Sequence, residues 1–321
     1  MADNSAEVRQ FLTTRRARVS PEQVGLPQVG HRRVPGLRRG EVATLAGVSI
    51  EYYTRLERGN LKSASDEVLE ALAGALQLDE AERSHLADLA RAARTRPSVR
   101  RTPSAGDGEA LRPGVHRLLE AMTGSPAFVR NGRLDVLAMN RLGRALYAPM
   151  LLDPPGPSNM ARFNFLDPRS RDLYPDWDVA ADTAVALLRT EAGRAPFDRG
   201  LADLVGELSV RSEAFRTRWS AHDVRLHRTG TKSFQHPQVG RLELDFEAME
   251  LASPSRLVLT AYTAAAGTPS GDALELLAVL AATTDATTPA ADPAGARTTR
   301  GTAADATHRA SHPADEHRPH R

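Results

Sequence analysis

One stretch limits the fold more than any other: RRGEVATLAGVSIEYYTRLERGN at residues 38–60. Helical spacing runs from Glu41 to Ala46, with Val42, Ala43, Leu45 and Ala46 on or near one side. Gly47 breaks that run and supplies a left-handed backbone without steric cost. Ser49 is placed to cap a second helix, which runs to about Arg58 and stops at Gly59. Helices joined by so short a turn cross at about 90–120°, and the small Ala43 lets the backbones approach. Val42, Ala46, Val48, Tyr53 and Leu56 then share one core, which turns Ser49, Ile50, Glu51, Tyr52, Thr54, Arg55 and Arg58 outward. An exposed helix bearing large side chains suits the major groove, whose base edges offer acceptors to Arg and methyl groups to apolar side chains.

The predicted interface divides by chemistry. Ser49, Ile50, Glu51, Tyr52 and Arg55 are expected to meet base edges, and Arg32, Arg33, Arg38, Arg39, Thr54 and Arg58 to meet phosphates. Glu51 has two readings: it accepts from a cytosine amino group, or it pairs with Arg55 four positions on. Net charge over the whole chain is only +2, but residues 1–62 carry eleven basic against six acidic side chains. A local basic excess favours a polyanion through counterion release.

The neighbouring sequence completes a five-helix module over residues 4–95. Ser5–Arg18 reads as a helix with Val8, Phe11 and Leu12 inward, followed by a long loop carrying His31, Arg32 and Arg33. Ser65 and Asp79 read as caps of two further helices. Residues 96–112 are Pro-, Gly-, Ser- and Arg-rich and read as a linker. Residues 282–321 hold few large apolar side chains and are expected to be disordered, tail histidines included.

Residues 113–281 mix strand and helix patterns. PAFVRNGRLDVLAMN suggests two strands around an Asn131-Gly132 hairpin, with Asn140 capping the next helix. Residues 179–189 and 198–219 read as helices, about 223–229, 240–249 and 256–264 as strands, and 271–281 as a closing helix suited to a dimer contact. The order predicts an α+β, PAS-like domain with a five-stranded antiparallel sheet. Asn140, Arg218, Trp219, His222 and His236 are the candidate ligand contacts: Trp219 for an apolar body, Arg218 for a carboxylate, Asn140 with a competing role as a cap. His227 lies in the same neighbourhood.

GLRRGEVATLAGVSIEYYTRLERGN resembles the XRE-type helix-turn-helix of MmyB-like actinobacterial regulators. RFNFLDP, LVGELSVRSEAFRTRWSAHDV and HPQVGRLELDFEAMEL resemble their ligand-binding domain, so the likeness spans roughly residues 8–281. Gly40 departs from it, standing where the family usually has a second Glu. The resemblance implies a transcription regulator that senses an apolar small molecule such as a fatty acid.

Other classes find less support. No cysteine exists, which removes thiolate metal sites, disulfides and a flavin–cysteine adduct. H-E-x-x-H, G-x-S-x-G, P-loop and G-x-G-x-x-G motifs are absent, so no catalytic residue, metal or cofactor is expected. A haem held by a histidine, or a protein–protein adaptor without ligand, remain as alternatives. No apolar run reaches about 18 residues and no secretory leader is legible, so the expectation is a cytoplasmic homodimer on double-stranded DNA, with no membrane partner.

Overall fold

The computed structural model describes residues 4–27, 36–94, 111–152, 158–221, 229–252 and 256–287. Arg32, Arg33, His222 and His227, most of the expected linker and all but the start of the expected tail lie outside them. Among the described residues, no helix is long and apolar enough to cross a membrane.

The N-terminal region holds α1 (Asn4–Arg18), a short 3-10 turn (Glu22–Val24), α2 (Arg39–Leu45), α3 (Ile50–Glu57), α4 (Asp66–Ala75) and α5 (Glu80–Arg94). The caps form as the side-chain chemistry requires. Ser49 Oγ accepts from Tyr52 N at 3.1 Å, and Asp79 Oδ1 from Glu82 N at 2.8 Å. Gly47 turns the chain at φ +65°. Val8, Phe11, Leu12, Val42, Tyr53, Leu56, Leu72 and Leu89 are fully buried in one core.

The second region begins with α6 (Pro113–Ala121), β1 (Ala127–Arg130), β2 (Val136–Met139), α7 (Arg141–Leu146), α8 (Ala148–Leu151), α9 (Met160–Leu166) and α10 (Arg169–Leu173). It continues through α11 (Trp177–Arg194), α12 (Arg199–Arg211), α13 (Glu213–Ala221), β3 (Thr229–His236), β4 (Gly240–Glu250), β5 (Val258–Thr263) and α14 (Pro269–Thr287). The five strands form one antiparallel sheet in the order β2-β1-β5-β4-β3. Alternation gives the sheet two characters. Phe128, Tyr262, Leu242, Leu244, Phe246 and Phe234 pack into the cluster shared with the helices from α7 to α11 and with α14. Leu119 of α6 covers Ala127, Val129 and Leu259 on the reverse.

β3 begins at Thr229 and runs to His236; of the strand expected at about 223–229, residues 223–228 lie outside the described residues. Two local expectations change. The helix expected over 198–219 divides at Ser212, whose backbone is extended and whose Oγ accepts from Phe215 N at 3.2 Å. The hairpin is not a two-residue Asn-Gly turn. Its loop closes between Asn131 N and the Asp135 carbonyl, and Leu134 rather than Gly132 takes positive φ, at +66°. At Gly132 a Cβ would stand 2.2 Å from the end of the Glu191 side chain, which would have to shift to admit it.

Candidate functional site

α3 rests on its buried residues Tyr53, Leu56 and Glu57 and leaves its opposite face open. Ser49, Ile50, Glu51, Arg55 and Arg58 are exposed, Ile50 by 52%, while Tyr52 and Thr54 are half-buried. The Arg55 guanidinium lies 4.9 Å from the centre of the Tyr52 ring, an arrangement that stiffens the arginine. It makes no ion pair with Glu51, which leaves the Glu51 carboxylate facing outward. Position 40 lies beside this surface: a Cβ there would touch Ile50 Cδ1 at 3.5 Å, ordinary contact.

Arg38 and Arg39 are exposed at the start of α2, where Glu41 accepts from Arg38 N at 2.6 Å. Arg39 is also fixed from below. Its Nε donates to Glu57, a buried carboxylate that also accepts from Arg16 Nε at 2.7 Å and from the Tyr53 hydroxyl at 3.4 Å. Burial pushes the Glu57 pKa up, but hydrogen bonds from Arg39 and Arg16 outweigh it and hold the carboxyl below its ordinary range. The same hydrogen bond raises Arg39. Sequence reasoning missed Glu57; the available signal was an acid four positions after Tyr53 on the inner stripe of α3.

The four described candidate ligand residues are engaged within the fold. Arg218 donates to Asp182 at 2.8 Å and to Asp178, and lies 5.0 Å from the Trp177 ring centre. Trp219 stacks on Phe215 at 5.5 Å, with Arg189 4.1 Å from the Trp219 ring centre. His236 is buried, its Nε2 3.0 Å from the Ala145 carbonyl and its Nδ1 accepting from Gln238 N at 3.3 Å. Burial lowers its pKa, so the imidazole is held neutral. Asn140 Oδ1 caps α7 by accepting from Gly143 N and also accepts from Ala127 N, while Nδ2 donates to the Met122 and Ser125 carbonyls. It also borders a cleft formed with Glu120, Met122, Thr123, Arg141, Leu142 and Arg144.

Residues that sequence reasoning did not select form a denser group. Tyr147, Tyr174, Phe234 and Tyr262 pack ring to ring at 5.5–6.2 Å between the sheet and the helices. The Tyr147 and Tyr262 hydroxyls meet at 2.7 Å. Lys232 enters this group from β3, its Nζ 4.3 Å from the Tyr174 ring centre. Among the described residues, no cluster of His, Asp and Glu could hold a metal ion.

Two family models match the chain. One, described as the MmyB-like transcription regulator ligand binding domain, matches residues 111–277; the other, a helix-turn-helix domain, matches residues 7–86. No curated protein matches the sequence.

Proposed function

The chain belongs to the MmyB-like transcription regulators, ligand-responsive DNA-binding proteins, and we propose that α3 reads a specific operator while the sheet domain senses an apolar small molecule, of which a fatty acid is one. The observation that carries the DNA reading is the orientation of α3. Its apolar side is fully packed, its Ser49, Ile50, Glu51 and Arg55 side is open, and Arg38 and Arg39 flank it. Tyr52 and Arg55 act together on bases. Arg38, Arg39, Thr54 and Arg58, with Arg32 and Arg33 earlier in the sequence, contact phosphates.

Apolar specificity is supported by the sheet's helical face, where aromatic rings and Leu242, Leu244, Leu274 and Leu277 pack into one apolar core. A route to the DNA-binding end runs along α11. Its Trp177, Ala180 and Ala181 pack in that core, and its far end meets α1 and α5. There Arg189 meets Glu7, Arg194 Nε meets Asp88 Oδ2 at 2.8 Å, and Gly193 lies against His85. A ligand that favours one position of α11 then changes the position or mobility of the helix-turn-helix, provided its affinity differs between the two states. A homodimer forms through the outer face of α14, where Leu276 and Val279 are 50% and 63% exposed.

Selection of bound sequences from a randomised duplex library by the full-length protein tests the DNA reading. A defined motif is expected, with affinity that falls steeply with salt. Recovery of unenriched sequence would overturn it.

A further inference from the structure

The chain contains forty-two basic side chains, of which only Lys62 and Lys232 are lysines. Lysine differs from arginine in carrying a compact charge on a flexible stem, with three donors and no planar fork. Lys232 places that charge in the aromatic group of the sheet domain. β3 is the last strand of the sheet, and the register sets Lys232 opposite Leu244, on the face that Phe234 also occupies. Nζ lies 4.3, 5.4 and 6.0 Å from the ring centres of Tyr174, Phe234 and Tyr147.

These rings stabilise an ammonium without neutralising it. The acids nearest along the sheet are turned away by strand alternation. Thr231 Oγ1 meets Asp245 at 2.7 Å, Thr229 Oγ1 meets Glu247 at 3.0 Å, and Arg241 meets Glu243 at 2.9 Å, all on the opposite face. Burial lowers the Lys232 pKa to about 7, with no carboxylate opposing that shift. Among the described residues no carboxylate faces this half-buried ammonium, so a bound anion would supply the missing counter-charge.

We propose that Lys232 anchors the carboxylate head group of the ligand, whose apolar body lies against the Tyr147, Tyr174 and Phe234 rings. This rests on the reading of the sheet domain as an apolar-ligand sensor. One ammonium matches one monoanion; a phosphate dianion would leave a negative charge unbalanced among the rings. Arg218, the carboxylate partner expected from the sequence, is already bridged to Asp178 and Asp182.

The test uses the full-length protein, tetradecanoic acid and its uncharged methyl ester, with affinities measured by calorimetry. The wild type is expected to bind the acid about ten- to a hundredfold more tightly than the ester. Lys232→Met should reduce acid binding to the ester's level and leave ester binding intact, which also shows that the variant is folded. Lys232→Arg should recover part of the preference. With lysine 13Cε labelling, two side-chain signals arise, and the one lost in Lys232→Met should move on adding acid but not ester. Equal wild-type affinity for both probes, or undiminished acid binding by Lys232→Met, overturns the anchor while leaving the apolar sensor standing. Binding of neither probe overturns both.

Discussion

Arg189 donates from Nη1 to Glu7 Oε1 at 2.6 Å, joining residues 182 positions apart in sequence. Arg189 is fully buried, so the carboxylate of α1 compensates a charge carried by α11. Removing one member of a buried pair strands the other, at a typical cost of about 3–5 kcal/mol. Glu7→Gln should therefore destabilise the protein by roughly that amount, with the lower end more apt because Glu7 is partly exposed. The Glu7→Gln/Arg189→Met double variant should recover part of the loss. Urea unfolding of the four proteins in the cycle measures it, and additive losses would show that the two side chains act independently.

Gly193 and Gly206 should answer the same substitution with opposite sign. Alanine in an exposed helix interior ordinarily gains about 1 kcal/mol over glycine. At Gly206 of α12 a Cβ meets nothing within 4 Å, so Gly206→Ala should raise the melting temperature. At Gly193 of α11 it would stand 2.5 Å from His85 Cε1, a ring packed edge-on against Phe11, so Gly193→Ala should lower it. Parallel thermal melts decide the matter; a stabilised Gly193→Ala would mean that α5 and α11 are not in close contact.

The Glu57 network should make the DNA-binding end acid-sensitive. Its carboxyl is held below the ordinary value of 4.5, so its stabilising contribution is present above that value and is lost as pH falls below it. Glu57→Gln should lose stability at neutral pH and lose less than the wild type on acidification to pH 3. Parallel acid dependence of the two proteins would place the titration elsewhere. Arg39, which Glu57 holds, should also become less effective on every DNA sequence.

If Arg55 reads a base as proposed, Arg55→Ala should relax base preference at one operator position by about 1–3 kcal/mol, its guanidinium being held over the Tyr52 ring on the open face of α3. Arg38→Ala should weaken specific and random duplexes alike and reduce the salt slope by about one. Fluorescence anisotropy on both duplexes separates the two effects. An equal loss for both substitutions on both duplexes would remove this division of labour.

Lys232 should carry its own pH signature. Its folded pKa of about 7 lies below the ordinary 10.5, so the unfolded chain binds more protons between these values. Wild-type stability relative to Lys232→Met should then rise from pH 7 toward pH 10.5 and stay flat below pH 7. Tyr147 and Tyr174, which face Lys232, are pushed above their ordinary value by burial, and His236 on the same strand is lowered, so none of them titrates in the upper part of that window. Denaturation at matched pH values provides the comparison, and a constant difference would mean that the ammonium is solvated.

The helix-turn-helix was legible residue by residue because its determinants are local. A cap at Ser49, a left-handed glycine at position 47 and an apolar stripe through Val42, Tyr53 and Leu56 all act within a few turns of chain. The five-stranded antiparallel sheet and the Asn140 cap were likewise readable from alternation and capping chemistry. The sequence did not reveal which polar groups the fold would bring together. Glu57 belongs to Arg16 and Arg39, Arg189 to Glu7, and Lys232 to rings contributed by separate segments. Local rules depend on spacing along the chain, whereas the worth of a charge depends on its partner and on how much water remains around it. Both of those are set only when distant segments pack.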